Sequence, residues 1–203
     1  MRTASIFALL LLTGTLGFAR ESLPEPVTKH DSVSQLLDKR FLRLASSGQA
    51  ALTFSVAVGI IHEDDFLNAL QIAYAEMLPE GESPEFTVQQ TAPGTYAYVN
   101  RDGEKTTITE ILRVIESDRV ELYIFSTGNR FFGSFEALTA ITVKPDTDES
   151  VLWDVKVFAY PRNLVSRIVA RTGVVNRFFR NKTTEITELA VQIGAFLTRP
   201  GSG

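Results

Sequence analysis

Two apolar segments, 131–144 and 151–160, run through Tyr160-Pro161 into a long helical pattern over 164–197. That order of strand, short turn, strand and long helix restricts the fold more than any other part of the chain. Pro145-Asp146-Thr147-Asp148 is a turn too short for a parallel crossover, so the two strands pair antiparallel. A straight helix of that length spans roughly 50 Å, more than a compact domain of this size accommodates. Gly173 and Asn181-Lys182-Thr183-Thr184 are the expected break points, which predicts a bent or interrupted helix.

Upstream, the spacing predicts four more strands at 86–90, 96–101, 106–115 and 120–126. Ala92-Pro93-Gly94, Asp102-Gly103, Ser117-Asp118 and Thr127-Gly128-Asn129 punctuate them, and Asp-Gly is the strongest short hairpin signal. Over 51–61, Phe54, Val56, Val58 and Ile60 alternate with small or polar residues and predict a half-buried strand. A helix follows over 64–78 and is stopped by Pro79, Gly81 and Pro84. Before it, Val33, Leu36, Leu37, Phe41 and Leu44 form a helical stripe over 32–48, with Asp31 or Ser32 as its cap and Gly48 as its stop. That helix is expected to be appended to a domain beginning at residue 51, and 20–31, with Pro24 and Pro26, to be a linker.

The first nineteen residues have the character of an export signal. Arg2 precedes an apolar run from Ile6 to Leu12, and Gly17-Phe18-Ala19 supplies small residues for cleavage near Ala19. The expectation is a periplasmic or secreted domain, with 199–203 a disordered tail. In that setting the absence of cysteine is informative: disulfides and thiol chemistry are excluded, and the core alone must hold the domain. A hydrophobic content of 44% against 22% charged is ordinary for a packed core. Net charge of -4 argues against nucleic-acid binding. Arg162, Arg167, Arg171, Arg177 and Arg180 form a local exception, read as a solvated surface or as a contact for a membrane or envelope protein.

Catalytic signatures are missing. His30 and His62 are the only histidines, without zinc-ligand spacing, and there is no G-x-S-x-G elbow or glycine-rich phosphate loop. His62-Glu63-Asp64-Asp65 reads as the acidic start of a helix. Glu110, Glu116, Glu121, Glu136 and Asp154 read as solvated strand residues, although a carboxylate pair leaves no spacing signature. The aromatics Tyr96, Tyr98, Tyr123, Phe125, Phe131, Phe132, Phe135, Trp153 and Phe158 serve either as core or as the lining of a cavity between sheet and helix. Tyr98 and Arg113 are its candidate polar groups. Neither a metal nor a cofactor is expected.

The element order, with the run from Gly133 to Pro145, the acidic turn, Ser150 to Val155 with Trp153, and the helix, resembles the START-like (SRPBCC) superfamily. In this helix-grip fold of polyketide cyclases and lipid-transfer domains, a curved antiparallel sheet grips a C-terminal helix. The resemblance covers 51–198 and implies an α+β fold with an extra N-terminal helix. It also implies a hydrophobic small molecule or lipid bound between sheet and helix, near Phe54, Val56, Tyr98, Leu112, Arg113, Leu122, Phe135, Trp153, Val155 and Ile168. The family has no universal catalytic residues to carry over. A cyclase- or hydrolase-like enzyme of the same fold and a ligand-free envelope interaction module remain alternatives, as do a lipocalin-like barrel or an unrelated α+β sheet for the architecture.

Overall fold

The computed structural model describes residues 23–39, 41–130, 133–163 and 174–197. The elements are α1 (Glu25–Lys29), α2 (Asp31–Leu37), β1 (Leu42–Ala50), α3 (Phe54–His62), α4 (Phe66–Met77), β2 (Phe86–Ala92), β3 (Thr95–Asn100), β4 (Lys105–Ile115), β5 (Val120–Arg130), β6 (Gly133–Thr147), β7 (Ser150–Pro161) and α5 (Val174–Leu197). The strands form one seven-stranded sheet in the order β1-β7-β6-β5-β4-β3-β2. All neighbours are antiparallel. The signal segment, the tail, Phe131, Phe132, Arg167, Arg171 and Ile168 lie outside the described residues.

Two expected elements change type. Over 32–48, only the first half is helical, and the second half is strand β1, paired with β7 from Leu42↔Ala159 to Ala50↔Val151. The sheet therefore begins upstream of residue 51, and the expected appended helix 32–48 is not present as one helix. Leu42, Leu44, Ser46, Gly48 and Ala50 share one face of β1, an alternation that Phe41 and Leu44 also fit as helical neighbours. Gly48 ends no helix. A Cβ there would lie 2.7 Å from the Trp153 ring, so glycine lets the indole lie against the strand.

The strand expected over 51–61 is instead α3. Phe54, Ala57, Val58 and Ile61 follow the i, i+3, i+4, i+7 spacing of a helix face, and this set packs on the core with Val120, Val143 and Val151. Thr53 starts the helix, its hydroxyl accepting from the Val56 amide at 3.3 Å. The period-two reading of Phe54, Val56, Val58 and Ile60 was equally available in the sequence, and tertiary packing decided between them.

The helix expected at 64–78 is α4, and the predicted meander is present. Asp102-Gly103 turns with Gly103 at φ 75°, and Gly94 has φ 65° in the β2–β3 turn. Gly128 is no turn residue: it lies within β5, where a Cβ would come within 2.7 Å of the Lys105 carbonyl. Helix α5 runs through Asn181–Thr184 without the expected interruption, and Asn181 and Thr184 are exposed on it. A break at Gly173 would lie outside the described residues.

Cross-strand register assigns each side chain a face. The inner face carries Tyr96, Ile108, Ser126, Ala137, Ala159 and Leu42 in one row across the sheet, and Arg113, Leu122, Ile141, Val155 and Ser46 in another. Helix α3 and Val191 of α5 pack on this side. Part of the outer face is covered by α1 and α2, whose Val27, Val33, Leu36 and Leu37 are buried against Tyr123, Phe125, Leu138, Ala140 and Phe158; towards the β6–β7 hairpin it is open around Thr142, Leu152 and Asp154. The chain thus crosses from one side of the sheet to the other through β1.

Glycine substitutions test these assignments. Gly59 lies in the interior of α3 with open space around a new Cβ, so Gly59→Ala raises stability by about 0.5–1 kcal/mol. Gly48→Val forces the Trp153 ring off β1 and lowers stability by about 1–3 kcal/mol. Urea denaturation measures both, and a stabilising Gly48→Val would contradict the strand assignment.

Candidate functional site

The inner face is not packed uniformly. Towards the β6–β7 hairpin, Val120, Val143 and Val151 are buried under Phe54, Val58 and Ile61 of α3. Towards the other side of the sheet, α4 closes on β2 and β3. Phe66 meets Tyr96 edge to face at 6.4 Å, and Tyr74, Phe86 and Tyr98 stack in sequence at 5.2 and 5.3 Å. Between these packed regions, Ile108, Ile124, Phe135, Val155 and Val157 remain only partly buried on interior strands of the helix-bearing side, as does Ile141 at the edge of the valine cluster, while Leu122 and Ala137 on the same face are buried.

The predicted site residues divide accordingly. Tyr98, Arg113, Leu122, Phe135, Trp153 and Val155 share the inner face by register. Phe54 and Val56 come from helix α3 rather than from a strand, and Phe54 packs against the buried valines. Leu112 is on the opposite face, in the core under α1 and α2. The reason is a β-bulge between Glu110 and Leu112. It shifts the alternation, so that Glu110 and Arg113 share the inner face while Leu112 pairs with Tyr123 on the outer one. Nothing in the sequence marks that bulge, but adjacent Leu112 and Arg113 could never have faced one cavity together.

Arg113 is the electrostatic centre of this region. Its Nη1 donates to the backbone carbonyls of Ile61, His62 and Glu63 at 2.6, 3.3 and 2.8 Å. Nε and Nη2 form a two-pronged pair with Glu110 at 3.0 and 2.6 Å. The guanidinium also lies 5.0 Å from the Phe66 ring centroid. A cation at the C-terminal carbonyls of α3 satisfies groups with no partner inside the helix and complements its dipole. Arg113 thereby fixes the angle between α3 and α4, and its hydrogen-bonding capacity is committed to the protein. Beside it, an open groove of about 710 Å³ is lined by His62, Asp64, Gln90, Gly94, Glu110 and Arg113.

The His62–Asp65 cluster is the hinge between α3 and α4. Asp65 precedes α4 without a side-chain capping bond, and the Asp64 carbonyl accepts from the Tyr96 hydroxyl at 3.2 Å. Burial, with nearby Asp65 and Glu110, raises the Tyr96 pKa and keeps it a neutral donor. Among the described residues, no group of three or more His, Cys, Asp or Glu side chains is placed to hold a metal ion. Glu136, read from sequence as solvated, is buried: its side chain is only 6% exposed and pairs with Lys39 and Arg162.

No family model matches this sequence, and no curated protein matches it. Solved structures do. A truncated norcoclaurine synthase from Thalictrum flavum superposes with a TM-score of 0.50 at 13% identity, covering 79% of this chain and 95% of that one. A START-superfamily protein from Mycobacterium smegmatis gives 0.49 at 12% identity, covering 77% and 99%. A conserved protein from Geobacillus kaustophilus gives 0.46 at 12%, covering 76% and 93%. The chain has the START-like helix-grip fold: an antiparallel sheet carrying two helices after its first strand and a long C-terminal helix across the same face.

Replacing Arg113 by Met leaves Glu110 and the α3 carbonyls unpaired, and the expected loss is about 3 kcal/mol by urea denaturation. Arg113→Met combined with Glu110→Leu should cost less than the two single changes added together. A loss below about 0.5 kcal/mol for Arg113→Met, the range of ordinary surface changes, would contradict its role as the anchor of α3.

Proposed function

We propose that this protein is a non-catalytic binding protein for a hydrophobic small molecule, with a lipid as the favoured ligand, held between the inner face of the sheet and the C-terminal helix. The observation that carries this reading is the band of partly exposed apolar side chains, Ile108, Ile124, Phe135, Ile141, Val155 and Val157, on interior strands of the face that bears the helices. A fully packed core would bury such residues, as it does Val120, Val143 and Val151 on the same face. Apolar surface with a few polar groups at its edge is the usual composition of a small-molecule site.

Burying ~300 Å² of apolar ligand surface contributes roughly 7 kcal/mol, before the cost of ordering ligand and protein. The charged groups nearest the band favour binding over catalysis: Arg113 and Glu110 are bound to each other and to α3. The signal-like N-terminus supports an extracytoplasmic place of action, periplasmic in a bacterium, with cleavage near Ala19. Arg162 and Arg177 are exposed and remain candidates for contact with a membrane or envelope partner.

Thr139 lies in the middle of the inner face, between Ile124 and Val157. Thr139→Trp fills the proposed space. The expected result is a folded protein with unchanged Tm whose fluorescence enhancement of an environment-sensitive apolar dye falls at least tenfold. If that side of the sheet is already filled, the added bulk instead destabilises by about 1–3 kcal/mol, and the ligand-site reading fails.

A further inference from the structure

The two edges of the sheet are built differently. β2 is the shorter, and its pairing with β3 is broken by a bulge between Gln90 and Ala92, a device that keeps an edge from pairing with another chain. β1 has no such device. Its nine residues pair with β7 in one unbroken register, without proline, and Arg43 is the only charge in Leu42–Ala50. Among the described residues, no strand lies beyond β1. Outside its ladder with β7, the backbone hydrogen bond seen for these residues is the one that the Ala50 carbonyl accepts from the Leu52 amide at 2.9 Å. Arg43, Ala45, Ser47 and Gln49 are exposed along it. Such a row of unpaired amides and carbonyls is a template for a further strand.

We propose that β1 is a self-association edge: two copies of this chain pair antiparallel through Leu42–Ala50 about a two-fold axis at Ser46, joining their seven-stranded sheets into one. The choice of partner follows from the strand set against its own reverse. Centring the pair on Ser46 uses all nine residues. On the inner side it places Leu42 opposite Ala50, Leu44 opposite Gly48, and Ser46 opposite its own copy. On the outer side Arg43 faces Gln49, and Ala45 faces Ser47. Each leucine therefore meets a small residue, and no like charges are opposed.

The charges agree with this register. Gln49 Nε2 donates to Asp146 Oδ2 at 2.6 Å, so a carboxylate stands at the end of β1 where Arg43 of the second copy arrives. Two-fold symmetry makes that contact twice. An isologous pair also closes on itself, whereas β1 joined to β2 of another copy would build an open filament, which the bulge in β2 opposes. With small side chains from Ala45 to Gly48, main-chain hydrogen bonds carry most of the contact. The interface falls below the ~1,200–2,000 Å² of standard ones, so the dimer is weak and concentration-dependent.

Sedimentation equilibrium of the purified chain tests this without any ligand. The mass should rise from one chain to two between about 1 and about 500 μM, and no further. Ala45→Lys with Ser47→Lys opposes lysines across the axis and should hold the mass at one chain, as should Ala45→Glu with Ser47→Glu; an equimolar mixture of the two should restore the dimer. The chain has no cysteine, so Ser46→Cys supplies a single thiol facing its own copy at a distance a disulfide spans. It should cross-link about tenfold faster than Ile72→Cys on exposed α4. A single-chain mass throughout, as an edge reserved for another protein would give, overturns the proposal. So does a dimer indifferent to the lysine pair, growth beyond two chains, or cross-linking of Ser46→Cys no faster than that of Ile72→Cys.

Discussion

Pairing of β1 with β7 is the constraint on which the rest of this structure depends. Without Leu42–Ala50 in the sheet, β7 would be an open edge. The chain would also have no route from the outer face, where α1 and α2 lie, to the inner face, where α3 begins. The register from Leu42↔Ala159 to Ala50↔Val151 fixes both ends of that passage. At one end Phe41 meets Phe158 edge to face at 5.5 Å; at the other, Trp153 lies against Gly48. Each helical layer is positioned by the strand that separates them.

The two faces then divide the work. Part of the outer face is buried under a short helical segment, and its buried charge, Glu136, is compensated by two cations. The helices of the inner face are fixed to the sheet at two places. Arg113 pins the end of α3 to β4, and the Tyr74–Phe86–Tyr98 stack pins α4 to β2 and β3. Helices fixed at both margins of a curved sheet leave partly exposed apolar side chains between them.

Much of this was legible in the residues. Strict alternation and turn chemistry located β2 to β7, because Pro93-Gly94 and Asp102-Gly103 leave the backbone little choice. The inner-face positions of Tyr98, Leu122, Phe135, Trp153 and Val155 followed from that alternation. The first sixty residues were harder. Leu42-Arg43-Leu44 and Phe54-Ser55-Val56 each satisfy both periodicities over a few residues, and only long-range pairing with β7 and packing against Val120 and Val143 separate strand from helix. The Thr53 cap was the one local sign of α3. Leu112 was misplaced by a bulge, and Glu136 looked solvated because its partners, Lys39 and Arg162, come from distant parts of the sequence. Spacing reveals faces; it does not reveal which faces close on one another.

The central claim is that the band around Ile124 and Ile141 receives a hydrophobic molecule. Methyl-resolved NMR during titration with a long-chain fatty acid tests it directly. The account predicts that the Ile108, Ile124 and Ile141 methyl resonances shift together and saturably, while Ile72, exposed on the outside of α4, stays in place. Shifts confined to Ile72 or to exposed Leu152, with the inner-face methyls unmoved, would contradict it.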